Sequence, residues 1–254
     1  MDINELRGDI DRIDLEIVSL FERRMRTASE IGRYKCANNR PLFDPVREAE
    51  LVKSRVGRLE NAELAPFLEC FLGNLMDISK YYQYRVTHGK NIVLIGMMGS
   101  GKTAKGRIIA DNLCMDFIDI DSEIEAVFGE AVSDIFAKYG EEKFRKAEAE
   151  QVAKAAACGN AVISTGGGVV LNELNMKLLK ASGVVVFMNR DIDKIAGTVD
   201  TQSRPLLDST DKIYEIYKQR LSLYQRWSDV EISGEFDDVG QAADKIINTI
   251  FTSG

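Results

Sequence analysis

The sequence predicts an N-terminal all-α domain of three helices over residues 1–88, followed by a C-terminal α/β domain over residues 89–254, a parallel sheet flanked by helices. Two patterns predict this division. Up to about residue 87, apolar residues recur every three or four positions, as in amphipathic helices. From Asn91, short apolar runs alternate with amphipathic stretches, which is typical of βαβ units.

The N-terminal pattern indicates one long helix and two further helices. Apolar residues over 3–20 form one stripe, and the first helix should end before Pro41, because proline cannot continue the hydrogen-bond ladder. A second helix is expected to begin with Asp44 as its N-cap and Pro45 in its first position. The third helix is expected over roughly residues 62–85.

Four apolar runs predict strands in the second domain, over residues 91–96, 117–121, 161–165 and 184–188. The second run is FIDID, which places Asp119 and Asp121 two positions apart. In a strand both side chains would point to one face, at the carboxyl end where α/β folds bind ligands. An isolated pair of this kind is more often a solvated strand end.

Charge and composition exclude several classes of protein. The net charge of −7 does not favour nucleic acid or an anionic membrane as a partner, because both select basic surfaces. The longest apolar run is far too short to span a bilayer, and the charged N-terminus does not resemble a signal peptide. We therefore expect a cytoplasmic protein whose partners are small molecules. Four scattered cysteines are expected to be buried, reduced thiols: Cys36, Cys70, Cys114 and Cys158.

A phosphate-binding loop follows the first predicted strand. The run GMMGSGKT over residues 96–103 has the P-loop spacing and opens a predicted helix. Its glycines let backbone amides turn inward around phosphate oxygens, and the helix N-terminus adds partial positive charge. Lys102 would reach the β and γ phosphates and Thr103 would bind Mg²⁺. A glycine-rich turn without a ligand is the alternative.

Further motifs follow the P-loop in a fixed order: DID at 119–121, GEEKFR at 140–145, TGGG at 165–168, RPLL at 204–207 and RxxxY at 220–224. Three consecutive glycines indicate a backbone that approaches a ligand closely. Together these motifs resemble the shikimate kinase family over essentially all of residues 91–254. The resemblance implies transfer of phosphate from ATP to shikimate.

The resemblance also implies a set of site residues. The ATP-binding residues would be Gly99, Ser100, Gly101, Lys102, Thr103, Ala104 and the lid residue Arg204, with Mg²⁺ held by Thr103 and, through water, by Asp119. The shikimate-binding residues would be Asp121, Arg145, Gly166, Gly167, Gly168 and Arg220. Lys102, Asp121 and Arg204 would be catalytic. One position departs from the family pattern: seven residues before Arg204, where these kinases often carry an arginine that stacks on adenine, the chain has Gly197.

An arginine interrupts the apolar stripe of the first helix. Continuing by sevens from Ile3 leads to Arg24, at a position that would otherwise be apolar. A buried guanidinium is costly unless an anion meets it. A nearby carboxylate or a path to solvent ordinarily accounts for such a residue, and Arg7 and Lys35, taken singly, are typical of a solvated face.

The N-terminal motifs nevertheless resemble the all-helical chorismate mutase family over about residues 3–85. They are LRGDIDRID, the arginine pair at 23 and 24, GRYK at 32–35, RPLFDPVREAE at 40–50 and DISKYYQ at 77–83. The resemblance implies an intertwined homodimer without a cofactor, and chorismate bound by Arg7, Arg24, Lys35, Asp44, Arg47, Glu48, Ser79 and Gln83. Arg24, Lys35 and Gln83 would be catalytic.

Two alternatives remain open. Residues 1–88 could be a dimerisation or regulatory module without catalytic activity, although a complete set of candidate ligands disfavours this. The second domain could be another P-loop kinase of small polyols, for example one that acts on gluconate.

Overall fold

The computed structural model describes residues 2–38, 40, 42, 44–198, 210–234 and 239–252. The chain separates into two compact units that divide between His88 and Gly89. We call them the helical unit and the α/β unit. Arg204, the predicted lid arginine, lies outside the described residues.

The helical unit contains α1 (Ile3–Ala37), α2 (Pro45–Val56) and α3 (Ala65–Thr87), with a 3₁₀ turn (Ala62–Leu64) before α3. These helices confirm the three predicted ones. A capping box formed by Asp2 and Glu5 starts α1, and Asp44 starts α2 by accepting a hydrogen bond from the Arg47 backbone amide. The local cap residues therefore determine where both helices begin.

The N-terminal half of α1 leaves its apolar stripe in solvent. Ile3, Ile10 and Ile17 are 57%, 57% and 47% exposed, whereas the buried residues of α1 all lie between Met25 and Gly32. That second half packs against α3. Within the described helical unit nothing covers the first half, and such a long exposed stripe is typical of a surface that pairs with another helix.

The α/β unit is built on five parallel strands in the order β2-β3-β1-β4-β5. They are β1 (Asn91–Ile95), β2 (Asp116–Asp119), β3 (Ala161–Ser164), β4 (Gly183–Asn189) and β5 (Val230–Ser233). The central strands are buried on both faces, as parallel sheets require. The edge strand β5 was not predicted, because its four residues alternate between buried and exposed positions and form no continuous apolar run.

Seven helices of the described chain belong to this unit and flank the sheet. They are α4 (Lys102–Leu113), α5 (Ile120–Phe128), α6 (Val132–Ala157), α7 (Glu173–Ser182), α8 (Ile192–Thr198), α9 (Thr210–Trp227) and α10 (Val239–Thr252). Helix α6 is kinked at Gly140, whose φ of 77° and ψ of 169° are not helical. The kink separates the first helical stretch from the one that carries Arg145.

The prediction that Asp119 and Asp121 share one face of a strand was wrong. Strand β2 ends at Asp119, and Asp121 is the second residue of α5. The reason is local: the Asp119 side chain accepts a hydrogen bond from the Ser122 backbone amide and so acts as the N-cap of α5. The capping interaction ends the strand two residues before the apolar pattern does.

The prediction of buried thiols was also wrong, since all four cysteines are exposed: Cys36, Cys70, Cys114 and Cys158. Cys36, Cys114 and Cys158 lie at helix ends, and Cys70 lies on the exposed face of α3. Helix ends and outer faces are solvated, so these thiols are not part of the core. None of the described helices is both long and apolar enough to cross a membrane.

Candidate active sites

The P-loop joins β1 to α4, and its glycines occupy positions that other residues could not. Gly101 has a φ of 85° and forms the N-cap of α4. Gly96 has a φ of 142°, and a Cβ atom there would lie 2.7 Å from the Met188 carbonyl oxygen. Both positions exclude side chains, because an L-residue rarely adopts such φ values.

Lys102 folds back onto the loop that it follows. Its Nζ atom donates hydrogen bonds to the carbonyl oxygens of Gly96, at 2.9 Å, and Met97, at 2.7 Å. Its side chain is buried. These two hydrogen bonds hold the loop backbone in a curve around the ammonium, and such a curved backbone can form an anion-binding concavity.

Two more cations hold the P-loop from its carbonyl side. Arg190 donates to the Gly99 carbonyl at 2.9 Å, and Lys105 donates to the Ser100 carbonyl at 3.0 Å. Burial lowers the pKa of the Lys105 ammonium, and the nearby Arg190 charge lowers it further. Neither residue was predicted, although the position of Lys105 four residues after Gly101 placed it one helical turn from the loop.

Thr103 and Asp119 lie together beside the P-loop. The Thr103 hydroxyl donates a hydrogen bond of 2.8 Å to Asp119 Oδ2, whereas Oδ1 of the same carboxylate accepts from the Ser122 amide. Hydroxyl and carboxylate oxygens are the ligands that Mg²⁺ prefers. The pair therefore fits the predicted magnesium site, with Asp119 held in place by its capping bond.

Five of the seven predicted ATP-binding residues line a cavity at this end of the sheet. It is lined by Gly99, Gly101, Lys102, Thr103, Ala104 and Asp119, together with Met98, Asp121, Thr165 and Gly167. Ser100 is buried and does not line the cavity. Its carbonyl instead accepts the Lys105 hydrogen bond.

A second cavity adjoins the first and brings together every predicted shikimate-binding residue. Its lining contains Asp121, Arg145, Gly166, Gly167, Gly168 and Arg220, with an apolar wall of Met98, Val132, Phe136 and Phe144. Met98, Asp121 and Gly167 line both cavities. A ligand in the second cavity would therefore meet the end of a ligand in the first at Asp121.

The three glycines after β3 are required by close approach and not by unusual φ angles. A Cβ atom on Gly166 would lie 2.7 Å from Asp121 Oδ1, and one on Gly168 would lie 2.5 Å from the Arg145 guanidinium nitrogens. At Gly167 it would lie 3.1 Å from the Met98 backbone nitrogen. The sequence predicted close approach to a ligand; in the structure the glycines admit the site's own side chains and the P-loop backbone.

Arg145 is held by two carboxylates. Its Nη1 atom lies 3.1 and 3.0 Å from the two Glu148 carboxylate oxygens, and Nη2 lies 3.1 Å from Glu141. Glu148 is 1% exposed, and burial raises the pKa of its carboxyl group while Arg145 opposes the shift. Glu148 was not predicted; its spacing of three residues from Arg145 on one helix was the available signal.

The Gly167 carbonyl is held by two donors from α9. Arg220 Nη1 donates to it at 3.0 Å, and the Tyr224 hydroxyl donates at 2.5 Å. Both side chains are buried, and burial raises the pKa of Tyr224 to about 12. Helix α9 thus fixes the backbone at Gly167, which lines both cavities.

The helical unit contains its own cavity, enclosed by the C-terminal half of α1, by α2 and by α3. Seven of the eight predicted chorismate ligands line it: Arg24, Lys35, Asp44, Arg47, Glu48, Ser79 and Gln83. Arg7 is exposed, and it does not line the cavity. The lining also includes the apolar side chains of Ala28, Ile31, Leu42, Leu51 and Met76.

Arg24 is half-buried and forms hydrogen bonds to two residues of α3. Its Nη1 atom donates to the Leu75 carbonyl at 3.1 Å and to the Ser79 hydroxyl. Burial lowers the pKa of its guanidinium. No carboxylate among the described residues forms an ion pair with Arg24, so pairing with a neighbouring acid does not account for its position. Its charge remains available to an anion in the cavity.

Lys35 and Gln83 face the same cavity from α1 and α3. Lys35 donates a hydrogen bond of 2.8 Å to the Leu42 carbonyl, and burial lowers the pKa of its ammonium. Asp44 and Glu48 oppose that shift, whereas Arg47 adds to it. Gln83 Oε1 is buried and has no hydrogen-bond partner within the described part of the chain. A buried carboxamide of this kind is suited to a polar ligand.

A lysine that the sequence did not single out completes the cavity. Lys80, on α3, lies 3.2 Å from Glu48 and 2.8 Å from Asp77. The residue lines the cavity beside Ser79. It was missed because a lysine within a helix is ordinarily solvated, and only the packing of α2 against α3 shows its surroundings.

Two family models match the chain, one within each of its two units. A family model described as shikimate kinase matches residues 98–251, and one described as chorismate mutase type II matches residues 6–84. The matches fall on either side of His88, the last residue of the helical unit.

Shikimate kinases among known relatives and solved structures match part of the chain. A shikimate kinase from Caldicellulosiruptor bescii is 42% identical over 163 residues, 63% of this chain and 94% of that protein. One from Pelotomaculum thermopropionicum is 48% identical over 139 residues, 53% of this chain and 81% of that protein. The structure of shikimate kinase from Acinetobacter baumannii in complex with shikimate has 31% sequence identity and a TM-score of 0.64, and the match covers 68% of this chain and 97% of that one.

Proposed function

We propose that this chain, which belongs to the shikimate kinase family and carries a chorismate mutase type II domain, catalyses two reactions of aromatic amino-acid biosynthesis. The domain of residues 89–254 transfers the γ-phosphoryl group of ATP to shikimate, giving shikimate 3-phosphate and ADP. The domain of residues 1–88 rearranges chorismate to prephenate. Both reactions use small polar metabolites, and we place the protein in the cytoplasm.

The observation that carries the kinase proposal is the position of Asp121 where two cavities meet. One cavity is formed by the P-loop, and the other is lined by Arg145 and Arg220. Asp121 accepts hydrogen bonds from the hydroxyl groups of shikimate and orients the attacking one, whose proton it can accept. Phosphoryl transfer needs mainly such positioning and charge stabilisation.

The two arginines would bind the carboxylate of shikimate. Arg220 keeps guanidinium nitrogens in addition to the one that contacts the Gly167 carbonyl. Arg145 is fixed by the buried Glu148, whereas its second partner, Glu141, is exposed and easily displaced by a ligand carboxylate. Planar guanidinium groups suit bidentate carboxylate recognition.

The nucleotide would bring Mg²⁺ to the Thr103 hydroxyl and, through water, to Asp119. When bound, the ion supplies positive charge that offsets the charge on the phosphate oxygens. The P-loop amides, Lys102 and the α4 N-terminus bind the phosphates. Arg204 would act as a lid arginine that closes over the transferring group; this role rests on the resemblance alone.

For the mutase, the supporting observation is a cavity that gathers Arg24, Lys35 and Gln83 around one space. The rearrangement is unimolecular and needs no nucleophile, metal or proton transfer. Arg24 would bind a carboxylate, and Lys35 and Gln83 would stabilise negative charge that grows on the ether oxygen. Holding the compact conformer of chorismate supplies the remaining catalysis.

A second copy of the chain would complete the mutase site. Arg7 and Arg24 are 17 residues apart on α1, about 25 Å along a helix, too far to bind one small molecule together. The exposed apolar stripe in the N-terminal half of α1 provides the surface on which a partner α1 would pack. We therefore propose a homodimer through the N-terminal helices, in which Arg7 of each chain reaches the other chain's cavity.

Separate assays on the purified full chain test both activities. Lys102→Ala should abolish ATP-dependent phosphorylation of shikimate and leave chorismate loss unchanged, and Arg24→Ala should do the reverse. Arg23→Ala, at the exposed neighbouring position, is the matched control for Arg24. Loss of both activities in either folded variant would contradict two independent sites. Faster phosphorylation of gluconate than of shikimate would contradict the substrate assignment.

A further inference from the structure

The cavity of the helical unit contains an ion pair whose cation lies outside the predicted ligand set. Lys80 Nζ lies 3.2 Å from Glu48 Oε2 and 2.8 Å from Asp77 Oδ1. Lys80 and Glu48 both line the cavity, whereas Asp77 does not. The side chains of Lys80 and Glu48 are only 12% and 25% exposed, so the pair is largely shielded from solvent.

The pair has a consequence for a ligand with two carboxylates. The described lining carries four cationic and two anionic side chains, an excess of two positive charges. Because Glu48 is one of the two anions, it would repel such a ligand if it were unpaired. Lys80 offsets this charge without removing the carboxylate as a hydrogen-bond acceptor.

The pair also fixes geometry. Glu48 lies in the first turn of α2, and Lys80 follows Ser79 on α3, so the contact joins two helices that both supply ligands. Asp77, three residues before Lys80 on α3, holds the same ammonium from outside the cavity. The contact between the Lys80 ammonium and the Glu48 carboxylate keeps Glu48 directed at the cavity.

We propose that Lys80 is a positioning residue of the mutase site, which neutralises Glu48 and holds its carboxylate toward a hydroxyl group of the bound dicarboxylate. The inference rests on the proposed mutase function. It differs from direct binding of a substrate carboxylate by Lys80, and from a purely structural link between α2 and α3.

A double-mutant cycle on the full chain separates these roles. The variants are Lys80→Met, Glu48→Gln and their combination, with kcat and KM for chorismate measured for each. Lys80→Met should raise KM about tenfold and change kcat less than about threefold, since an unpaired Glu48 opposes binding more than the rearrangement. The double variant should have a KM within about threefold of Glu48→Gln alone, because an uncharged carboxamide at position 48 needs no counter-ion.

Two further variants test whether the rise in KM comes from loss of the positive charge at position 80 and from its contact with Glu48, the partner that lines the cavity. Lys80→Arg should restore the KM to within about twofold of wild type, because a guanidinium also pairs with Glu48. Asp77→Asn, which changes only the outer partner, should also stay within about twofold. Thermal unfolding of the same preparations reports on the folding of the helical unit, and shikimate phosphorylation reports on the amount of intact chain.

The outcomes that would overturn the inference are distinct. An unchanged KM in Lys80→Met would remove the role altogether. Single-variant effects that multiply in the double variant would show that Lys80 acts independently of Glu48. A Lys80→Met variant that has a lower kcat and a lower unfolding temperature, but the wild-type KM, would indicate that Lys80 only links α2 to α3. Absence of mutase activity in the wild-type chain would reject the proposed function instead. In that case, calorimetric titration with prephenate would still compare the binding of a dicarboxylate by wild type and by Lys80→Met.

Discussion

The hydroxyl of Tyr224 donates a hydrogen bond of 2.5 Å to the carbonyl of Gly167, a residue that lines both cavities of the α/β unit. Arg220, one turn earlier on α9, donates to the same oxygen at 3.0 Å. A Cβ atom on Gly167 would lie 3.1 Å from the Met98 amide nitrogen, so this segment is confined between α9 and the P-loop. The position of Arg220 at the predicted shikimate site is therefore coupled to Tyr224.

Tyr224→Phe should raise the KM for shikimate about fivefold and lower the free energy of unfolding by about 1 kcal/mol, the usual value of one buried hydrogen bond. Without the Tyr224 hydroxyl, only Arg220 would donate to the Gly167 carbonyl. Its guanidinium would then move toward this oxygen and away from the shikimate carboxylate, which raises the KM. Steady-state kinetics and thermal unfolding measure the two effects. Tyr217→Phe is the matched control, because its hydroxyl contacts Asn189 and no cavity glycine; an equal KM change in both variants would contradict the prediction.

Mutase activity should begin to fall at a pH below the one at which an ordinary, solvated lysine loses its proton. Burial lowers the pKa of Lys35 from 10.5, so its ammonium loses the proton as pH rises through a lower value, and the cation is fully present only below it. Lys35→Arg should move the alkaline limb of kcat/KM for chorismate to higher pH, because a guanidinium stays protonated. An alkaline limb at the same pH in both proteins would show that another group controls it.

Mixing two inactive chains should restore mutase activity. Arg7→Ala and Arg24→Ala each damage every site of their own homodimer, but a heterodimer would contain one site with both arginines and one with neither. Activity should recover toward about one quarter of wild type when subunits exchange at random, since half the dimers would carry one intact site. Verified exchange without recovery would contradict the shared site.

Gly197→Arg should lower the KM for ATP by a few-fold to about thirtyfold, the range given by about 0.5–2 kcal/mol for a cation over an aromatic ring. Gly197 is exposed near the end of α8, its φ is not positive, and a Cβ atom there meets nothing within 4 Å. The substitution should therefore be accepted without strain. The KM for shikimate serves as the internal control, and an unchanged KM for ATP in an active variant would mean that other groups already bind the adenine.

The P-loop and the helix starts could be predicted from the residues themselves because their decisive interactions are local, whereas the ligand sets of both candidate sites came from the family resemblances. The P-loop spans eight consecutive residues, 96–103, between a strand and a helix, and its glycines and lysine act through neighbouring backbone. Helix starts at Asp2 and Asp44 depend on side chains that cap amides two or three residues away. The same local chemistry also accounts for an error: capping by Asp119 ended β2 before Asp121.

Only the tertiary structure decided which distant residues meet. The Tyr224–Gly167 bond joins residues 57 apart in sequence, and the Lys80–Glu48 pair joins residues 32 apart. No periodicity marks a lysine or a tyrosine as a partner of a particular carboxylate or carbonyl, because such pairs form only where folding brings two elements to contact distance. The sequence by itself determined the two folds and most of the charged and glycine residues that line the cavities. Packing of α2 against α3, and of α9 beside the glycines after β3, decided which further side chains hold them in position, since burial and electrostatic interactions depend on separation in space and not along the chain.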